Sequence, residues 1–247
     1  MLEYIATTFV GLVAGFVTSI AGGGAGMITI PFFLFIGLPP HTAVATPKFG
    51  GLGLTIGSTI RFIKTTHIIW RKVPYLIVLV IAASLVGSNL LLWLPAELIE
   101  KIVIVLLLVA IPIMYFNPKV GIEKREPTKY MSVIGYVAYA VVETFRAAFG
   151  SVFSMLNTIV LVRLHGLTML EASATKRIPG ILLSLIALLV FINAGAVSLP
   201  HGFSLIIGSF TGAYLGTHVA IKKGNNFIKV AFTIVLLVSA IALALGL

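Results

Sequence analysis

Five long runs almost free of charge recur along this chain, and they decide what it can fold into: Val73–Trp93, Ile102–Phe116, Ile178–Ile192, Phe203–Ile221 and Phe227–Leu247. A helix needs about 20 apolar residues to cross the hydrocarbon core of a bilayer. Backbone N–H and C=O groups find no water there, so the helix, which pairs them internally, is the spanning form. A membrane β-barrel would instead show short segments of alternating polarity, and none is present. Hydrophobic residues make up 59% of the 247 and charged residues 10%, against about 25% charged in a soluble domain. With a mean hydropathy of +1.14, no water-soluble core could hide this much apolar surface. The sequence predicts an all-α, polytopic integral protein of the cell membrane.

Tyr4–Ala21 is read as a retained helix rather than a signal peptide, because only Glu3 precedes it and it runs into glycines instead of an A-x-A-like cleavage site. There is no cysteine, which excludes disulfides, thiolate metal sites and cysteine nucleophiles. The net charge of +10 lies mostly in short loops. There it serves topology and contact with anionic membrane lipid rather than nucleic acid.

Residues 37–110 lie on residues 166–239 without a gap, at a constant offset of 129. Gly37-Leu38 meets Gly166-Leu167; Ala43, Ala45 and Thr46 meet Ala172, Ala174 and Thr175; Gly51 meets Gly180 and Gly87 meets Gly216. Lys48 falls on Arg177. Each half holds five hydrophobic segments, roughly 4–21, 24–37, 44–63, 73–93 and 98–116, then 131–147, 150–164, 174–193, 203–221 and 227–246. The expected division is a first repeat over 1–116, a cytoplasmic linker over 117–130 and a second repeat over 131–247. Because five is odd, the second repeat should enter the membrane in the opposite sense. Loop charges agree: Arg61, Lys64, Arg71 and Lys72 flank the third loop of the first half, and its counterpart Asn193–His201 has no Lys or Arg. The bias reverses at the next loop, with Glu97, Glu100 and Lys101 against Lys222, Lys223 and Lys229. An inverted repeat under the positive-inside rule requires this reversal, and places the linker inside and both termini outside.

Three features carry the chemistry. Gly22-Gly23-Gly24-Ala25-Gly26 breaks a helix, since each interior glycine costs about 1 kcal/mol relative to alanine, and a helix restarting there aims its positive end into the break. Lys48 and Arg177 stand beside prolines near the start of the third segment of each half, where ionisable side chains face an interior or a water-filled path. Lys176, nearer the segment end, is expected to snorkel to the interface. Glu143 and Arg146, three residues apart, share a helix face and can neutralise each other; the sharper reading has Glu143 carry a proton and Arg146 hold an anion. Glu171 suits a helix start. His41, His67, His165 and His201 fall at segment ends and His218 within one, without metal-ligand spacing. No hydrolase, zincin or phosphate-loop motif supports an enzyme, a metal or a cofactor.

Ser19–Pro31 with its glycine run, Gly37-Leu38-Pro39-Pro40-His41-Thr42-Ala43, Ala45-Thr46-Pro47-Lys48, and in the second half Leu170–Arg177, Phe191–Val197 and Gly208–Gly216 together resemble the TauE/SafE sulfite/sulfonate exporter family over nearly the whole chain. The resemblance implies a secondary transporter that moves sulfur oxyanions or organosulfur anions, usually outward. Two positions depart from the family pattern. The second glycine-rich break reads Thr144-Phe145-Arg146-Ala147-Ala148-Phe149-Gly150-Ser151, and Pro47 stands where asparagine is usual.

The expected function is therefore alternating-access transport of a small anion, with Lys48 and Arg177 flanking a site lined by Gly22–Gly26 and Gly150–Ser151. Arg146 and Glu143 are further candidates for substrate contact and proton coupling. Uptake instead of export, an anion channel, and a receptor or assembly partner without transport remain the alternatives. Nothing in the sequence sets an oligomeric state.

Overall fold

The computed structural model describes residues 2–93, 121–150 and 153–244; the fifth segment of the first half and Ser151 lie outside them. Among the described residues the chain is helical and has no β-strand. The first half supplies α1 (Leu2–Ala21), α2 (Ala25–Phe35), α3 (Pro40–Ala45), α4 (Pro47–Phe62) and α5 (Val73–Leu91). The second supplies α6 (Lys129–Phe149), α7 (Ser154–Leu164), α8 (Met169–Thr175), α9 (Arg177–Asn193) and α10 (Leu199–Ala244), the last broken at Gly224, where φ is 80°. The offset of 129 carries the bounds of α2 onto those of α7.

Five helical stretches among the described residues are long and apolar enough to cross a bilayer: Leu2–Ala21, Val73–Leu91, Tyr130–Phe149, Met169–Asn193 and Leu199–Val235. With 11 residues each, α2 and α7 reach roughly 16 Å at 1.5 Å per residue, about half the hydrocarbon thickness. The third segment of each half, expected as one helix, is a short helix hinged onto a long one at Thr46 and at Lys176. Pro47 and Pro179 explain the hinges, because each lacks the N–H that would bond back four residues. The hinge threonines then reach across the molecule. Thr46 Oγ1 accepts from Ser198 N at 3.1 Å and Thr175 Oγ1 from Ile69 N at 3.0 Å, and the offset maps each bond onto the other.

Large apolar side chains face outward while several charged ones are buried within an otherwise apolar core, the reverse of where a soluble protein keeps its charges. Phe9, Val78, Val137, Phe203 and Ile207 are exposed, whereas Lys48, Glu143, Arg146, Lys176 and Arg177 are buried. Packing between α1 and α10 rests on small residues, as is common between membrane helices. Gly208, Gly212 and Gly216 sit against backbone of Thr8, Leu12 and Phe16, while Gly11 and Gly15 sit against Leu205 and Ser209. Residue numbers rise together along both helices, so they run parallel. By the same test α4 runs parallel to α10 (Gly53 on Ile206, Gly57 on Phe210), and α4 crosses its own repeat counterpart α9 antiparallel (Gly51 on Ser184, Thr55 on Gly180). Gly212→Ala places a methyl against rigid backbone of Leu12 and Phe16. Overpacking of this kind costs about 1–3 kcal/mol, so the variant's thermal unfolding midpoint in detergent is expected to fall.

One end of the molecule gathers the basic segments. The stretch Gly121–Arg125 bonds the α7–α8 corner through Arg125 N to Gly166 O and Met169 N to Gly121 O. Asn225, beside the Gly224 break, accepts from Leu170 N. Thr168 and Glu171 form a capping box at the start of α8, as expected of Glu171, whose carboxylate lies 3.4 Å from Lys124. Lys72 Nζ donates to His165 Nδ1 at 3.2 Å, and the imidazole meets the Tyr136 ring edge-on. Burial first, and then the adjacent Lys72 charge, pull the His165 pKa down to about 4. Its folded value lies below its unfolded one, so its contribution is complete above pH 6.5 and is lost as pH falls toward 4. Thermal melts across that window should show an acid limb that His165→Phe, which keeps a ring on Tyr136, flattens.

Candidate functional site

Breaks in four helices bring the buried charges together. Gly22 and Gly24 take left-handed φ values of 74° and 101°, which ends α1 and restarts the chain as α2 at Ala25 with Gly24 as its N-cap. Gly150, φ 92°, does the same at the end of α6. The hinges before α4 and α9 place Lys48 and Arg177 in the first turns of those helices. These ends surround a cavity of about 50 Å³ lined by Thr18, Ala25, Gly26, Lys48, Thr55, Arg146, Gly150, Ser154, Arg177, Ser184 and Ser209, among others. A water needs roughly 10–15 Å³ measured this way, so the space suits a few waters or one anion of four or five heavy atoms.

Of the expected site residues, Ala25, Gly26, Lys48, Arg146, Gly150 and Arg177 line this cavity. Gly22, Gly23 and Gly24 form the break without lining it: Gly23 packs on Met155 and Gly24 faces Val235. Glu143 sits behind, with Arg146 Nε donating to its Oε2 at 2.5 Å, the pairing expected from their spacing. Lys176 corrects an expectation. Instead of snorkelling it is 3% exposed, and its Nζ donates to Gly22 O, Ser154 O and Oγ, and Thr158 Oγ1. Because α8 starts at Met169, Lys176 lies within the 25-residue span Met169–Asn193 rather than near its end.

Lys48 and Arg177 make matched contacts. Lys48 Nζ donates to Ala147 O at 2.6 Å and Arg146 O at 3.1 Å, carbonyls at the negative end of α6, and lies 5.6 Å from the Phe191 ring centre. Arg177 Nη2 reaches Thr18 O at 3.5 Å. The offset maps Lys48 to Arg177 and Thr18 to Ala147, so each cation reaches the equivalent carbonyl of the opposite half. At 3.5 Å the Arg177 contact is at the limit of a hydrogen bond. Arg177 Nε, Arg146 Nη2 and the Thr18 hydroxyl find no protein partner among the described residues.

The electrostatics are one-sided. Guanidinium groups stay protonated in proteins, so Arg146 and Arg177 against Glu143 already leave one positive charge in excess, before Lys48 or Lys176 is counted. A buried ion costs several kcal/mol unless it is paired and hydrogen-bonded. The cavity therefore presents unpaired N–H donors and uncompensated positive charge, which together favour a small anion. The hydroxyl lining was not anticipated from sequence. A signal for it existed, since the repeat register pairs Thr55 with Ser184 and Thr29 with Thr158. Gly180, against which the Arg146 guanidinium packs, is likewise the counterpart of Gly51.

A family model described as "Sulfite exporter TauE/SafE" matches residues 7–243. "Probable membrane transporter protein YfcA" of Escherichia coli (strain K12) is 30% identical over 227 residues, 92% of this chain and 84% of the relative. "Probable membrane transporter protein" of Haemophilus influenzae is 27% identical over 229 residues, 92% of this chain and 89% of the relative. "Probable membrane transporter protein ORF9" of Sinorhizobium sp is 29% identical over 232 residues, 94% and 88%. No solved structure matches the chain.

Proposed function

The chain belongs to the sulfite exporter TauE/SafE family of membrane transporters, and from that premise we propose that it is a secondary exporter of a small sulfur oxyanion: sulfite, a sulfonate or a related organosulfur anion. The observation that carries the substrate class is the cavity in which Arg146, Arg177 and Lys48 converge with one carboxylate behind them. Its volume of about 50 Å³ favours a compact anion.

The route is alternating access between inverted repeats. Support comes from the antiparallel crossing of α4 with α9 and from the cross-bonding of Lys48 and Arg177, each to the other half. A site built on the seam between halves changes its exposure when one half rocks against the other. Glu143, held by Arg146, is the proposed proton carrier.

Flux of labelled sulfite and of a small sulfonate from proteoliposomes tests the proposal. Saturable flux is expected, raised by a proton gradient and lowered at least tenfold by Lys48→Ala. Equal rates in wild type and Lys48→Ala would remove that residue from the site, and non-saturating conductance would favour a channel. Absence of both flux and anion-induced thermal stabilisation, across sulfite, thiosulfate, sulfonates and carboxylates, would leave a non-transporting protein.

A further inference from the structure

The surroundings of Lys176 Nζ are those of a bound cation. Gly22 O lies at 2.6 Å, Ser154 O at 2.7 Å, Ser154 Oγ at 3.0 Å and Thr158 Oγ1 at 2.5 Å. All four act as acceptors. The Ser154 hydroxyl has its own acceptor in Gly22 O at 3.3 Å, and the Thr158 hydroxyl has one in Ser154 O at 3.2 Å, so both turn lone pairs to the nitrogen. A neutral amine has two N–H groups for these four oxygens; the ammonium has three. Gly22 O, released by the glycine break, lies just past the negative end of α1. Carbonyl and hydroxyl oxygens without a carboxylate suit a single positive charge, whereas divalent ions recruit carboxylates.

The cage is not a by-product of the repeat. The counterparts of Lys176 and Ser154 in the first half are Pro47 and Ala25, so the cation and the serine hydroxyl are missing there together, while Thr29 keeps the counterpart of the Thr158 hydroxyl.

We propose that this cage is a monovalent-cation site, which the chain fills with its own ammonium in place of a free sodium or potassium ion. The tethered charge ties the end of α1 to the start of α7 beside the anion cavity, and makes the wild-type protein indifferent to which alkali ion surrounds it. Removing the ammonium while keeping the oxygens opens the site to an ion from solution.

The test is the thermal unfolding midpoint of purified protein in sodium chloride, potassium chloride and choline chloride at equal ionic strength. Wild type is expected to melt alike in all three. Lys176→Ala is expected to gain a saturable rise of several degrees in sodium or potassium over choline, and the double variant Lys176→Ala/Thr158→Val, which lacks one ligand, to lose that rise. Equal melting of Lys176→Ala in the three salts overturns the proposal, as does a rise that survives Thr158→Val. Should Lys176→Ala be difficult to recover, its folded yield in the three salts is the readout: higher yield with an alkali ion supports the site, and equal failure in all three refutes it.

Discussion

Arg177→Ala is expected to abolish anion-induced stabilisation while leaving the ligand-free protein as stable as wild type, or more so. The two effects have opposite signs for one reason. Arg177 is 3% exposed, has its Nε unpaired and touches protein oxygen at 3.5 Å, so without an anion it is a buried charge poorly compensated, which destabilises. With an anion it becomes one side of a desolvated charge pair, and truncating such a partner costs about 2–5 kcal/mol. At about 1.4 kcal/mol per tenfold, affinity should fall by roughly 30-fold at the least. Thermal shift and calorimetric titration with sulfite measure both. Arg177→Lys should recover part of the affinity, since charge returns without the planar fork. A variant that melts far lower without ligand yet binds as before would mean that Arg177 is a structural brace and the anion sits elsewhere.

Glu143→Gln should do the reverse to the empty protein. Its Oε2 is the partner of Arg146 Nε at 2.5 Å, and both groups are buried. Neutralising the carboxylate leaves the Arg146 and Arg177 charges beside the cavity with no counter-charge, and breaking a buried pair from one side costs about 3–5 kcal/mol. The unfolding midpoint is expected to drop sharply and to recover partly on adding a small oxyanion. The double variant Glu143→Gln/Arg146→Gln should lose less than the sum of the single changes, and the double-mutant cycle measures the coupling. The same variant examines the proton proposal: flux through Glu143→Gln should no longer respond to a pH gradient. Flux that keeps its full pH dependence would move the coupling to another group.

Much of this was legible along the chain. Apolar runs of the right length predict spanning helices because lipid leaves the backbone no other way to satisfy itself. The glycine run marks the break after α1, and the offset of 129 anticipated that Lys48 and Arg177 are counterparts. Spacing alone paired Glu143 with Arg146, since three residues on a helix bring two side chains to one face. Local rules suffice for such features because their partners are neighbours in sequence or lie in the same register.

Tertiary structure decided the rest. Lys176 and Arg177 are adjacent in sequence, one at the hinge and the other in the first turn of α9, yet one enters a cage of oxygens and the other lines a cavity. No local rule assigns which is which, because the oxygens come from the end of α1 and the start of α7. The roles of Thr18, Thr55, Ser184 and Ser209 likewise depend on four helices meeting. Sequence determined that charge must be hidden from lipid, since hydrocarbon can neither solvate nor hydrogen-bond it. Where each charge is hidden is set by contacts between helices distant in the chain: Lys48 with the end of α6, and Lys176 and Arg177 with the end of α1.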